Sequence, residues 1–198
     1  MVIAYHAIFT AYGFWLPNDP RGSWSEWIRE WELLRFGPAT KAQTRRSVAG
    51  DEHDVRQRME AKEALRYLPV SFTGRQAVAI ANGFAAAAAK SKYIIHACAI
   101  LPQHVHVVLA RHGEHTVEQM VSHLKGGASR ALAECGMHPF TEHRKKDGSL
   151  PSMWARNFWK VFLNDEVNVR AAMEYIRQNP LKEGKREQHW PFVEPFQF

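Results

Sequence analysis

Two histidines stand one residue apart in PQHVHVVLA, residues 102–110. The run is short, rich in Val and Leu and preceded by Pro102, so it predicts a β-strand. Side chains alternate faces along a strand. His104 and His106 therefore point one way, and Val105 and Val107 the other way into a core. Two neutral imidazoles on one face can hold a divalent cation. The plain alternative is a pair of surface histidines on a half-exposed strand. A second pair lies near the C-terminus in MEYIRQNP, residues 173–180. Tyr175 and Asn179 are four residues apart, so on a helix they share a face one turn apart. The Asn179 side-chain oxygen is a hard ligand, and a tyrosine one turn back reaches whatever a cation there would polarise. The alternative is an amphipathic helix with Tyr175 in its packed face.

The elements that must position these four residues are legible in outline. Residues 2–12 predict a first strand. The stretch GFWLPNDPRGSWSEW that follows is dense in Gly, Pro, Asn and Asp and predicts repeated turns. A short helix over 26–35 follows, started by Ser23 or Ser25. A polar loop spans 37–55, and a charged helix lies near 52–66. Thr73 with Gln76 forms a capping box, and so does Thr116 with Gln119. The first predicts a helix to about Lys90 with an apolar stripe of Ala77, Ile80, Ala81, Phe84 and Ala88. The second predicts a helix with Val117, Met120, Val121 and Leu124 on one face. Gly126 and Gly127 lie inside that second helix. Each costs roughly 1 kcal/mol relative to alanine, which points to a close approach by another backbone or by a ligand. KYIIHACAIL and HVHVVLAR predict an antiparallel pair joined by Pro102 and Gln103. A basic loop spans 135–151. MWARNFWKVFL predicts a late strand, and Asn164 or Asp165 caps a last helix that should stop at Pro180.

The order β, insertion, α, β, β, α, β, α predicts an α+β fold: an antiparallel sheet packed with helices, ferredoxin-like, with helices on one face or split between two. No repeat and no second core is apparent. The chain of 198 residues fits one domain, with residues 18–66 as an insertion after the first strand.

Composition narrows the partners. No apolar run approaches the ~20 residues of a membrane helix, and no signal peptide is apparent. Cys98 and Cys135 lack CxxC spacing and fit a reducing cytoplasm. The formal charge is +6, and from Val121 to Arg186 there are 12 Lys and Arg against 7 Asp and Glu. This excess is interleaved with Trp154, Phe158, Trp159 and Phe162. Cations that track phosphates, mixed with rings that stack on bases, suit single-stranded nucleic acid. A soluble basic surface over buried aromatics is the plainer reading.

Together these pieces resemble a known family. QHVHVV is similar to the His-hydrophobic-His motif of the HUH single-tyrosine transposases. YIRQNPLKEG resembles the tyrosine, Asn-Pro, Lys-x-Gly ending of the REP-associated tyrosine transposases. YHAIFTAYGFWLPNDPRGSW resembles the opening of one branch of them. The resemblance covers most of the chain and is weakest at 36–70. It implies that His104, His106 and Asn179 hold Mg²⁺ or Mn²⁺, although some relatives use Gln at the third position. It implies Tyr175 as the nucleophile and a 5′-phosphotyrosine link with a free 3′-OH as the product. A tyrosine of ordinary pKa near 10 is a poor nucleophile unless its phosphate target is polarised. The implied partner is single-stranded or hairpin DNA. Lys125, Arg130, Arg156, Trp159, Lys160 and Arg21 are the candidate DNA contacts. Relatives include dimers that exchange the tyrosine helix and monomers that do not, so a homodimer stays open. His6 and His96 read as structural, and His112 as a proton carrier that nothing demands. Two rivals remain. One is a domesticated DNA-binding protein of the same fold. The other is a metal-dependent hydrolase using water, which the lack of Asp and Glu from 98 to 113 disfavours.

Overall fold

A computed structural model describes residues 1–14, 16, 31–37 and 52–197. Its elements are β1 (Ala4–Ala11), a 3₁₀ helix (Trp31–Phe36), α1 (Val55–Glu63), α2 (Gly74–Ser91), β2 (Ile95–Ile100), β3 (His104–Ala110), α3 (Val117–Glu134), β4 (Trp154–Leu163) and α4 (Glu166–Lys182). The predicted helix over 26–35 and the loop over 37–55 fall largely outside the described residues.

The four strands form one antiparallel sheet in the order β2-β3-β1-β4. With α2 and α3 as the two crossovers, this is the ferredoxin-like split βαβ arrangement. Its helices are divided between the faces. On one face Phe9, Val105, Val107 and Leu109 pack beneath Ile80 and Phe84 of α2 and Met120, Leu124 and Leu132 of α3. On the other, Ala4, Ala97, Ala99, Val108 and Leu163 pack beneath Val169, Ala172 and Ile176 of α4. Alternation along the strands serves both layers, which is why the central strands are apolar almost throughout.

Local capping signals act at the predicted helix starts. Thr73 and Thr116 accept from the backbone N–H of Gln76 and Gln119, and both glutamines return the bond to the cap residue. Asp165, not Asn164, caps α4 by accepting from Asn168. Two expectations need correction. Helix α4 does not stop at Pro180 but runs to Lys182. Asn179 and Pro180 are both buried, and their packing overrides the extended preference of a residue before proline. Of the glycine pair, only Gly127 makes the close approach. A Cβ there would lie 2.4 Å from the Gly83 carbonyl oxygen of α2, so α2 and α3 cross backbone to backbone. Gly126 would meet only the tip of Arg130.

The C-terminal residues after α4 shield the outer edge of β2. Gln188 bonds both backbone groups of Ile100, at 2.8 Å each. The Glu194 N–H donates to Ile95 O at 2.8 Å. His96 joins this structural layer, its Nδ1 3.1 Å from Glu194 O. An edge so covered offers no open row of donors and acceptors to another chain.

Candidate active site

The register of the sheet decides what meets the two histidines. His104 lies opposite Thr10, His106 opposite Ile8, and Val108 opposite His6. Trp159 and Val161 of β4 lie opposite Ile8 and His6. All of these point to the face that carries α4. Across the diagonal between β1 and β3, His6 Nε2 lies 3.0 Å from His106 Nδ1 in a buried hydrogen bond. The rings of His104 and His106 stand edge to face, their centroids 5.0 Å apart. Both histidines therefore share one face, as alternation requires.

Helix α4 brings the second pair to the first. Its apolar stripe of Val169, Ala172 and Ile176 seats it on the sheet, and Asn179 continues that stripe into the buried layer. The Asn179 side-chain amide stands 3.5 Å from His106 Nε2. Tyr175, one turn earlier, sits at the rim of the stripe with 45% of its surface exposed. Its ring lies 5.6 Å from that of His106 and 5.9 Å from that of His6. The tyrosine is thus held against the histidines of its own chain while its outer edge meets solvent. Lys182 extends back over it, with Nζ 4.9 Å from the ring centre, a cation–π contact.

Burial sets the electrostatics. It pushes His6 down to about 4. His106 falls well below the ordinary imidazole value, first through burial and then through the neighbouring His104 and His6. At neutral pH both rings are uncharged, the state in which an imidazole can ligate a cation. The donor set could hold a divalent cation. Two imidazoles and a buried amide converge, and the Glu183 carboxylate lies 3.6 Å from His104 Nε2. Thr10, opposite His104, carries a buried hydroxyl with no protein partner among the described residues. Among those residues no three His, Cys, Asp or Glu side chains gather into a cation site by themselves; the Asn179 amide is the further polar group beside His106.

A family model described as Transposase IS200 like matches residues 67–179, a stretch that spans both histidines, Tyr175 and Asn179. The chain belongs to the IS200-like transposase family. A Haemophilus influenzae protein named provisionally as a REP-associated tyrosine transposase is 29% identical to this IS200-like chain over 100 residues. That alignment covers 48% of this chain and 55% of the relative, so the chain spans about half the length of the curated relative it matches. Among solved structures, the chain is similar to a REP-associated tyrosine transposase bound to a REP hairpin, with 15% identity and a TM-score of 0.49. The match covers 96% of this chain and 74% of that one. It is also similar to a structure from Deinococcus radiodurans R1 provisionally named a transposase, at 12% identity and a TM-score of 0.39, covering 95% and 94%.

The candidate DNA contacts of this IS200-like chain fall into different settings. Lys125 is already engaged within the fold. Its ammonium donates to Ala155 O at 2.9 Å and Asn157 O at 3.2 Å. The pairing of β1 with β4 slips between Phe9 and Ala11, and those carbonyls belong to the bulged segment. Lys125 therefore ties α3 to β4, and burial there pushes it down to about 8. Lys160 is engaged as well, in an ion pair with Glu118 that holds this carboxyl below its usual range. Arg156 is exposed and lines a groove with Lys125, Glu118, Ser122, Asn157 and Phe158. Arg130 is exposed on α3. Trp159 shares the histidine face, whereas Arg21 lies outside the described residues.

Three contributors were not singled out from sequence. His6, which the sequence suggests is structural, touches His106 directly. Glu183 brings a carboxylate within 3.6 Å of His104 Nε2, where residues 98–113 carry none. Lys182 lies within the YIRQNPLKEG ending, and only the fold brings it over Tyr175. His112 is far from this site, beyond the other end of β3. There its Nδ1 accepts from the N–H groups of Glu114 and His115, and its ring lies tilted against His115 and edge-to-face with Tyr93. A cavity of about 600 Å³ opens between α4, β2 and the C-terminal residues, lined by Cys98, Arg170, Met173 and Trp190 among others. None of the four candidate site residues borders it.

Proposed function

We propose that the protein cleaves and rejoins single-stranded DNA as a transposase, with Tyr175 as the nucleophile at a divalent-cation site. The observation that carries this reading is the packing of the half-exposed Tyr175 against His106, with Asn179 and His104 completing the cluster. His104, His106 and Asn179 would hold Mg²⁺ or Mn²⁺, with Glu183 within reach of His104. A cation bound there would polarise a non-bridging phosphate oxygen and draw charge off the phosphorus.

The chain's own residues do the rest. Helix α4 presents the Tyr175 hydroxyl at the rim of the buried layer, where a phosphodiester can approach from solvent. The phenol oxygen attacks phosphorus in line, its proton leaves, and the departing 3′ oxygen takes a proton to become a free 3′-OH. The strand stays linked through a 5′-phosphotyrosine. One phosphodiester is exchanged for another, so the 3′-OH of a second strand can reverse the step without ATP. Lys182, over the ring, supplies positive charge beside the forming link. Trp159, on the same face, offers a ring on which a base can stack. Arg130 and Arg156 provide exposed cations for phosphates. A hairpin with single-stranded flanks is the substrate proposed.

Incubation with end-labelled single-stranded oligonucleotides from the flanks of its own gene, with Mg²⁺, tests this. A denaturing gel should show a protein–DNA adduct that Tyr175→Phe abolishes, with DNA affinity kept within about twofold because only a hydroxyl is lost. An adduct of normal yield from Tyr175→Phe would refute the assignment.

A further inference from the structure

His106 belongs to the histidine motif, but its partner His6 lies outside both the histidine and the tyrosine motif, and the family model begins at residue 67, beyond β1. The two rings meet through Nε2 of His6 and Nδ1 of His106, 3.0 Å apart and buried. Such a bond between imidazoles needs one nitrogen that carries a proton and one that carries a lone pair. Which ring donates decides what the far side of His106 can do. Its other nitrogen, Nε2, faces Asn179 at 3.5 Å. If the proton sits on Nδ1, the Nε2 lone pair points at the candidate cation site. If it sits on Nε2, that nitrogen is closed to a cation.

We propose that His6 accepts the Nδ1 proton of His106 and so holds that ring in the tautomer and orientation that keep Nε2 open for the cation. Behind most cation-bound imidazoles a carboxylate, carbonyl or water does this work. Here the register of β1 against β3 supplies a second imidazole instead. His6 sits opposite Val108, one diagonal step from His106, and the reach across that diagonal suits a ring. His6 is thus a positioning residue for the reaction proposed above, and its role presupposes a cation at His104 and His106.

Two readouts test it with no DNA present. Long-range proton–nitrogen NMR spectra of the cation-free protein should show His106 protonated at Nδ1 and bare at Nε2. In His6→Leu, which keeps bulk but has no acceptor, the His106 proton should move to Nε2. In His6→Gln, whose side-chain oxygen can replace the lost acceptor, it should stay on Nδ1. Mn²⁺ binding followed by calorimetry should weaken by roughly 10- to 100-fold in His6→Leu and recover in His6→Gln. An Nε2–H signal from His106 in the wild-type protein would overturn the proposal, and that spectrum decides even if His6→Leu fails to fold. A folded His6→Leu that binds Mn²⁺ within twofold of wild type would overturn it too. A wild-type protein that binds no Mn²⁺ would sink the cation reading, while the tautomer spectra would still score His6 separately.

Discussion

At the scale of single residues, the site works by holding polar groups where water is scarce. Two uncharged imidazoles in hydrogen-bond contact are inexpensive to bury only while neutral. This has a consequence for stability. The folded-state value of His6 is about 4, against an ordinary 6.5, and His106 is lowered in the same direction. The unfolded chain therefore takes up protons first as pH falls, and the folded state loses ground between pH 6.5 and 4. For His6 alone the loss at pH 5 is on the order of 2 kcal/mol. Urea melts should give a lower midpoint at pH 5.0 than at pH 7.5, and the difference should shrink in His6→Gln. Equal pH sensitivity in the variant would assign the drop to other groups. Chemistry and binding should also separate at single residues. On the mechanism proposed, Tyr175→Phe removes the attacking oxygen and His106→Ala removes a cation ligand, so both should block the adduct. Excess Mn²⁺ should restore some adduct to His106→Ala and none to Tyr175→Phe.

At the scale of elements, the helices are fastened by devices that differ in tolerance. The α2–α3 crossing depends on Gly83 and Gly127, where either added Cβ would run into the other helix's backbone, at 2.6 Å and 2.4 Å. Neither backbone can yield without separating the helices above Phe84 and Leu124. Gly127→Ala should cost about 3 kcal/mol, measured by denaturant unfolding. Gly126→Ala, one residue away, adds a methyl near only the end of the Arg130 side chain. It should gain roughly 0.5–1 kcal/mol, because alanine loses less backbone entropy in a helix. A matched response at the two positions would contradict the crossing. Lys125 belongs to this scale too. Its bonds to the bulged carbonyls of β4 make it a fastener between elements, so its loss should be felt in stability before DNA binding.

For the whole molecule, charge decides how a strand would reach the site. The net charge of +6 and the exposed Arg130 and Arg156 favour a polyanion. Affinity for a hairpin with single-stranded flanks should exceed that for blunt duplex. It should also fall with salt, at about −0.7 in log–log slope for each single-strand phosphate contacted. Arg130→Ala and Arg156→Ala should each flatten the slope by somewhat less than one unit. Equal affinity for blunt duplex, or a slope unchanged in both variants, would remove these arginines from the interface.

The sequence by itself determined what depends on neighbours along the chain. The capping boxes at Thr73 and Thr116, the alternation that puts His104 and His106 on one face, and the turn-length spacing of Tyr175 and Asn179 are all local geometry. Strand and helix order then restricted the fold to a ferredoxin-like sheet, since two crossovers and one hairpin close few other ways. Only the tertiary structure decided what depends on register and packing. That His6 reaches His106 follows from β1 pairing with β3 so that Val108, and not His106, lies opposite it. That Lys125 is spent on a bulge follows from two extra residues in β4. That Pro180 continues α4 and brings Glu183 to His104 follows from burial overriding a local preference. Contacts across strands are set by a pairing that a one-residue slip would reverse, and no spacing within one segment encodes that choice.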